Sequence, residues 1–261
     1  MIGLYCVFIE AIAYGLEKHG SHAIEYDVQL SADDVPILHH DSEMGRTVHC
    51  PGLLVDYTAE ELDGMDAGAW HSARFVGAGI PRYQAVVAYC RAHMIWMNVE
   101  VKGDFSDHKQ LRKIGYTVAT LTRQLFKNEL SQRRVNYHSL PLISSFSVPA
   151  LEEALIAAPE IPRALLVRGL GSREGFIANI EALLTMLEQL EASACHINQE
   201  GLTRHVVAAL LGHGYGVMCY TVNCPKRLLE LQDYGVQAIC TDMFDLDGSG
   251  SVQQVIPVSR L

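Results

Sequence analysis

Basic residues are scarce in this 261-residue sequence: 20 Lys and Arg stand against 30 Asp and Glu, a formal charge of −10. Holding a nucleic-acid backbone takes a basic face, so nucleic acid is not expected as a partner. An anionic membrane surface is disfavoured for the same reason. An anionic small ligand would need a local reversal of the field, and a bound cation is the simplest source of one. Paired cysteines are lacking too. Cys6, Cys50, Cys90, Cys195, Cys219, Cys224 and Cys240 are odd in number, scattered, and contain no C-x-x-C pair. That excludes a disulfide framework and fits reduced, mostly buried thiols in the cytoplasm. Cys219 and Cys224 lack zinc spacing. No apolar run reaches 18 residues, so no membrane insertion is expected. The apolar start meets Glu10 too soon, and without a basic leader, to read as a secretory signal. No Gly/Pro/Ser-rich linker divides the chain, so residues 1–246 read as one domain. A loose tail follows at 247–261, beginning Asp-Gly-Ser-Gly-Ser-Val.

What is present is a core-forming composition, 49% hydrophobic and 19% charged. Short apolar runs alternate with longer amphipathic ones. Strands are expected at Ala23–Leu30, Ile95–Lys102, Pro141–Phe146, Arg163–Val167, Ala194–Asn198, Gly216–Asn223 and Ala238–Asp242. Helical patterns lie between them. Glu10–His19 is stopped by Gly20, and Thr58-Ala-Glu-Glu61 is a capping box. Helices are also expected at Pro81–His93, Ile114–Leu130, Val148–Ala157, Gly175–Leu190, Gly201–Leu211 and Pro225–Gln232. Strand and helix alternating throughout imply a parallel sheet, and repeated units without a large insertion favour a (β/α)₈ TIM barrel. Only seven core strands are readable. The fold expectation is therefore an α/β TIM barrel with its first strand missing or irregular.

Period two along Ala23-Ile-Glu-Tyr-Asp-Val28 puts Ile24, Tyr26 and Val28 on one face and Glu25 and Asp27 on the other. Asn98-Val-Glu-Val-Lys102 repeats the pattern, with Glu100 and Lys102 inward. Three inward carboxylates at strand ends repel one another unless a cation or proton sits between them. They suit an all-oxygen site for Mg²⁺ or Ca²⁺. The alternative is a buried ion-pair network of Glu25, Asp27, Glu100 and Lys102 that serves structure only. In Val35-Pro-Ile-Leu-His-His-Asp41 the adjacent histidines face opposite ways, so only one can reach a shared site. A histidine there could act as general acid or base, with Asp41 to orient it.

These segments, with Arg46-Thr47, Asp66-Ala-Gly-Ala-Trp70, Leu142-Ile-Ser-Ser-Phe146, Tyr220-Thr-Val-Asn223 and Cys240-Thr-Asp242, resemble the glycerophosphodiester phosphodiesterase family in order and spacing. The block Leu142–Arg163 is most similar to the bacterial cytosolic enzymes. The resemblance implies a TIM barrel that hydrolyses glycerophosphodiesters to sn-glycerol 3-phosphate and a free alcohol. It implies a divalent cation held at positions matching Glu25, Asp27 and Glu100, with Lys102 beside the phosphate. It matches the family's second catalytic histidine to His40 rather than His39. It also places an aromatic, here Tyr220, on the glycerol side. Self-association into a homo-oligomer stays open.

The sequence departs from the family at its start. The family opens on a strand ending His-Arg-Gly, followed by Pro-Glu-Asn-Thr; here Val7-Phe8-Ile9 stands where Glu-Asn-Thr would fall, and no histidine precedes His19. The expected explanation is a start placed too late or a truncated chain, with weak turnover as the consequence and unpaired barrel edges as a liability. A barrel that binds metal and phosphodiester without efficient turnover is the alternative. An unrelated barrel enzyme abstracting a proton from a metal-bound substrate is the third reading. Other signals are expected to be structural. Gly212-His-Gly-Tyr-Gly216 follows a helix and reads as a helix stop. Ser144-Ser145 lacks a nucleophile elbow. His196 and Asn198 share a face as core or pocket wall, and Trp70 packs on a loop beside the mouth.

Overall fold

In a computed structural model the alternation resolves into nine strands and nine α-helices among the described residues, which are 2–3, 8–20, 22–133, 136, 139–173 and 175–243. The strands are β1 (Ile2–Gly3), β2 (Ala23–Leu30), β3 (Pro36–Leu38), β4 (Trp96–Val101), β5 (Leu142–Ser145), β6 (Arg163–Val167), β7 (Ala194–Asn198), β8 (Gly216–Tyr220) and β9 (Ala238–Ile239). The helices are α1 (Ile9–His19), α2 (Ala59–Asp63), α3 (Tyr83–Ala92), α4 (His108–Leu125), α5 (Lys127–Leu130), α6 (Val148–Ala157), α7 (Ile180–Gln189), α8 (Arg204–Gly212) and α9 (Pro225–Tyr234). The tail expected at 247–261 lies outside the described residues.

Eight strands run parallel in the order β1-β2-β4-β5-β6-β7-β8-β9, a curled sheet with helices between successive strands. All seven expected strands appear, three of them, β2, β6 and β7, with the expected bounds. The eighth is β1, a two-residue piece that pairs Ile2 with Ile24 and Gly3 with Glu25. The irregular first strand thus covers one flank of β2, although no ladder joins β1 to β9 among the described residues. β3 is an addition: it folds back antiparallel on β2, pairing Val28 with Leu38 and Leu30 with Pro36. Sequence reading left this segment merely extended, because three residues are too few to show a period.

Helix ends follow local chemistry. Gly20 closes α1 at φ +61°, its N–H bonded to the Leu16 carbonyl at 2.9 Å. The Thr58–Glu61 capping box opens α2. The helix expected over Ile114–Leu130 starts earlier, at His108, where Asp107 caps the Gln110 N–H at 2.9 Å, and breaks at Phe126 into α4 and α5. The one expected from Gly175 starts only at Ile180, under the Asn179 cap. Gly115 is required where α4 meets α6, since a Cβ there would lie 2.1 Å from the Ala150 carbonyl oxygen.

Outward-facing Ile24, Tyr26 and Val28 are at most 1% exposed and belong to the main core between sheet and helices. Inside the barrel the base is closed by Trp96. It packs on the Leu142, Ala164 and Ala194 cluster to one side and, together with Ala23, on Met218 and Ala238 to the other. Above this apolar plug the interior turns polar, and the strands' C-terminal ends open into a cavity of about 400 Å³.

Candidate functional site

Glu25 and Asp27 leave the inner face of β2, and their register partners on β4 are Asn98 and Glu100. The three carboxylates converge, each offering an oxygen within 4.8 Å of the others. Glu100 is only 9% exposed. Burial, then the negative charges of Asp27 and Glu100, push the Glu25 carboxyl well above its ordinary range. Burial and the Asp27 charge likewise push Glu100 up to about 8, against an opposing pull from Lys102. Lys102 follows β4 directly, its Nζ 3.3 Å from Asp27 Oδ1. One ammonium among three carboxylates leaves a net negative, oxygen-only cradle, the donor set preferred by hard divalent cations. An ion-pair network meant only for structure would pair its charges one to one. Here Glu25 and Glu100 each remain without a hydrogen-bonded cation of their own among the described residues.

The β2–β3 hairpin brings the histidines to this cradle. The His39 N–H bonds to the Asp27 carbonyl at 3.2 Å. The buried Gln29 side chain then staples the following segment, its Nε2 donating to the carbonyls of His39 (2.9 Å), His40 (3.3 Å) and Asp41 (3.0 Å). Neighbours on this extended backbone point apart. His40 lines the cavity, whereas His39 does not line it and is 2% exposed, with no hydrogen-bond partner for either ring nitrogen. Burial holds the His39 imidazole down to about 4. His40 Nδ1 lies 2.6 Å from Asp41 Oδ1, and Arg46 grips the same carboxylate through Nε at 2.6 Å and Nη2 at 3.1 Å. Burial works to raise Asp41, but hydrogen bonds from Arg46 and His40 overcome it and hold the carboxyl at about 2. Asp41 is therefore ionised and can only accept, so Nδ1 carries the proton it donates there. The Arg46 guanidinium in turn sits 5.7 Å from the centre of the Trp70 ring. Trp70 is thus a packing residue on the loop that holds Arg46.

Tyr220 lines the opposite wall with Phe146, their rings edge-to-face at 5.9 Å. Its hydroxyl donates to the Val167 carbonyl at 2.8 Å, which leaves the ring as the face offered to the cavity. β8 ends at Tyr220, so Thr221 escapes the strand's period and lines the cavity as well. Among the lining residues that sequence reasoning passed over, three carry polar groups toward the site. Asn98, 1% exposed, has an unpartnered Oδ1. Asp242 accepts from Asn223 Nδ2 at 2.8 Å, and its charge adds to the upward push on Glu25. Glu200 comes from the loop after β7. Period two from Ala238 through Cys240 pointed to Asp242, and period two from Glu100 pointed to Asn98; nothing in the sequence marked Glu200. Ser145 is structural as expected, its Oγ donating to the Val101 carbonyl at 2.7 Å and accepting from the Ser147 N–H at 3.0 Å. His196 is buried at 2%, and burial holds it down to about 3. His19 closes α1 against Tyr14, away from the cavity. Among the described residues lining the cavity, His40 is the one histidine.

The sequence model of the glycerophosphoryl diester phosphodiesterase family matches residues 9–246. The YhdW protein of Bacillus subtilis is 28% identical over 232 residues, covering 87% of this chain and 85% of that one. A glycerophosphodiester phosphodiesterase of Bacillus altitudinis is 27% identical over 229 residues, covering 87% and 84%. Among solved structures, an Oleispira antarctica phosphodiesterase in complex with the product sn-glycerol-3-phosphate superposes with a TM-score of 0.76. It is 24% identical and covers 92% of this chain and 89% of that one. This last likeness shows the barrel fold.

Proposed function

The chain belongs to the glycerophosphoryl diester phosphodiesterase family, and on that premise we propose that it hydrolyses glycerophosphodiesters to sn-glycerol 3-phosphate and a free alcohol, with a divalent cation held by Glu25, Asp27 and Glu100. The observation that carries the reading is the convergence of these carboxylates within 4.8 Å, in the same cavity as the His40–Asp41 pair. The donor set fits Mg²⁺ or Ca²⁺: it is all oxygen, anionic, and too crowded with charge to stand ionised alone. When bound, the cation supplies charge stabilisation at a phosphate oxygen.

The chain's own residues do the rest. Lys102, held by Asp27, adds a second positive charge beside the phosphate. Asp41 fixes the His40 ring with its Nδ1 proton outward from the cavity chemistry, so Nε2 is the nitrogen that exchanges a proton with the reacting oxygens. Expelling an alkoxide near neutral pH needs such a donor. The Tyr220 and Phe146 rings give the carbon face of glycerol an apolar wall. The cytoplasm is the proposed setting, supported by six free thiols among the described residues.

A second reading is favoured by one observation: among the described residues, a single histidine lines the cavity. One imidazole can serve only one proton transfer at a time, so a barrel that binds its ligand and turns it over slowly is the alternative. Release of sn-glycerol 3-phosphate from glycerophosphocholine and glycerophosphoethanolamine, with Mg²⁺, with Ca²⁺ and with a chelator, tests both. Cation-dependent release supports hydrolysis. Cation-dependent binding of sn-glycerol 3-phosphate with no release supports the second reading, and absence of both refutes the site.

A further inference from the structure

Gln29 lies on the inner face of β2 by the same period that turns Glu25 and Asp27 inward. It is buried, and its register partner across the hairpin is Ile37. β3 ends at Leu38, the His39 N–H still bonds back to the Asp27 carbonyl, and the chain then bends at His40. Along an extended strand successive carbonyls point to opposite sides. Here the carbonyls of His39, His40 and Asp41 all come within 3.3 Å of one atom, Gln29 Nε2. An amide nitrogen carries two hydrogens, so the three carbonyls share them. The bend that carries His40 is therefore wrapped round a side-chain amide instead of resting on a strand pairing. Without that donor the carbonyls lose their partner and the segment must move to find another.

We propose that Gln29 is a positioning residue for the reaction, the group that sets the distance between His40 and the carboxylate cradle. The inference rests on the hydrolytic reading above. Glu25, Asp27 and Gln29 are alternate residues of one eight-residue strand, paired with β4 from Ala23 to Val28. That strand acts as a rigid rule, with the cradle at two marks and the clamp on the histidine segment at the third. His40 then owes two properties to two separate grips. Asp41, itself held by Arg46, fixes the rotation and tautomer of the ring. Gln29 fixes where the backbone that carries the ring stands. Losing the second grip leaves the His40–Asp41 pair made but moves it bodily away from the phosphate. A displacement of about 1 Å can cost about a hundredfold in rate, as much as removing a modest general acid outright.

Gln29→Met keeps the length and bulk of the side chain and removes the donor. Ethanolamine release from glycerophosphoethanolamine with Mg²⁺ should lose about tenfold to a hundredfold in kcat, with KM within about twofold. The p-nitrophenyl ester of sn-glycerol 3-phosphate has a leaving group that departs without a proton, so its hydrolysis should fall by less than about threefold. A merely structural role, felt through the cradle or the fold, would slow both esters alike. Ring ¹⁵N spectra add a readout that needs no turnover. Addition of sn-glycerol 3-phosphate with Mg²⁺ should shift the His40 resonances in wild type and not in the variant, while calorimetry finds similar affinity in both. Gln29→Asn, whose amide stops one methylene short, is the second variant and carries the same expectation should Met at this position prevent folding. Equal losses on the two esters, an unchanged kcat, or His40 resonances that respond alike in wild type and variant overturn the clamp and leave the hydrolytic reading standing. A ring response that depends on Gln29 in a protein that hydrolyses neither ester upholds the clamp and refutes the hydrolytic reading. Neither hydrolysis nor a ring response in wild type overturns both.

Discussion

Replacing Glu100 by Gln should stabilise the cation-free protein while abolishing its response to cation. At an effective dielectric of about 20, two like unit charges 4.8 Å apart repel by about 3.5 kcal/mol. Glu100 faces two such partners, so full ionisation of the triad would cost roughly 7 kcal/mol at this one residue. Lys102 offsets part of that through Asp27, and proton uptake relieves more. A gain of about 2–4 kcal/mol for the neutral, nearly isosteric amide is what remains. Urea unfolding at pH 8 in chelator reads it directly, as a raised midpoint at unchanged slope. Adding millimolar Mg²⁺ or Ca²⁺ should then raise the wild-type midpoint and leave that of the variant where it was. Turnover should be lost in the variant. A Gln variant less stable than wild type in chelator, or one still stabilised by cation, would show that the carboxylates are not a strained cation cradle, and the structural ion-pair network would be the better account.

The histidines should separate cleanly: His40→Ala loses at least about a hundredfold in turnover, whereas His39→Ala keeps most of it, and the reverse ranking in a glycerol phosphate release assay would contradict the assigned facing of the pair. Asp41→Asn leaves the Nδ1 position misread as donor or acceptor, so kcat should fall by about two orders of magnitude or more with KM little changed, and an unaltered kcat would show that the Asp41–Arg46 grip does not orient the imidazole. Acid should destabilise the fold through its buried imidazoles. Burial lowers His196 to about 3 and His39 to about 4 in the folded protein, below the ordinary 6.5, so the unfolded chain takes up these protons first. The stability they allow is complete above about pH 6.5 and drains as pH falls through the window below, with about 3 kcal/mol from His196 alone gone by pH 4. Urea midpoints from pH 7 to 4 should show a shallower decline in His196→Leu than in wild type, and parallel declines would count against the buried neutral imidazole.

Period two made the inner faces of β2 and β4 readable before any coordinates, because one face of each strand is apolar and the other charged. The same signal failed for β3, whose three residues are all buried and show no alternation. It also failed at β1, where two paired residues make a strand only because Ile24 and Glu25 offer them a ladder. The His40–Asp41 contact was legible as adjacency. Its anchors were not: Arg46 lies five residues on, and the Gln29 staple spans ten to twelve residues, a distance set by the hairpin rather than by sequence. Tyr220 was legible as an aromatic at a strand end, yet its hydroxyl is spent on Val167, 53 residues away.

The two tryptophans occupy opposite poles of the barrel. Trp96 plugs the base among aliphatic side chains, and Trp70, 36% exposed, lies at the mouth under the Arg46 guanidinium. They are therefore two optical reporters with different emission colours, blue for the apolar base and red for the wet mouth. A ligand that draws Arg46 or the His40 segment toward phosphate alters the red component alone. Melting of the sheet alters the blue one. Each tryptophan replaced by Phe in turn gives a single-reporter protein, so site occupancy and barrel integrity can be followed separately in one cuvette without any label.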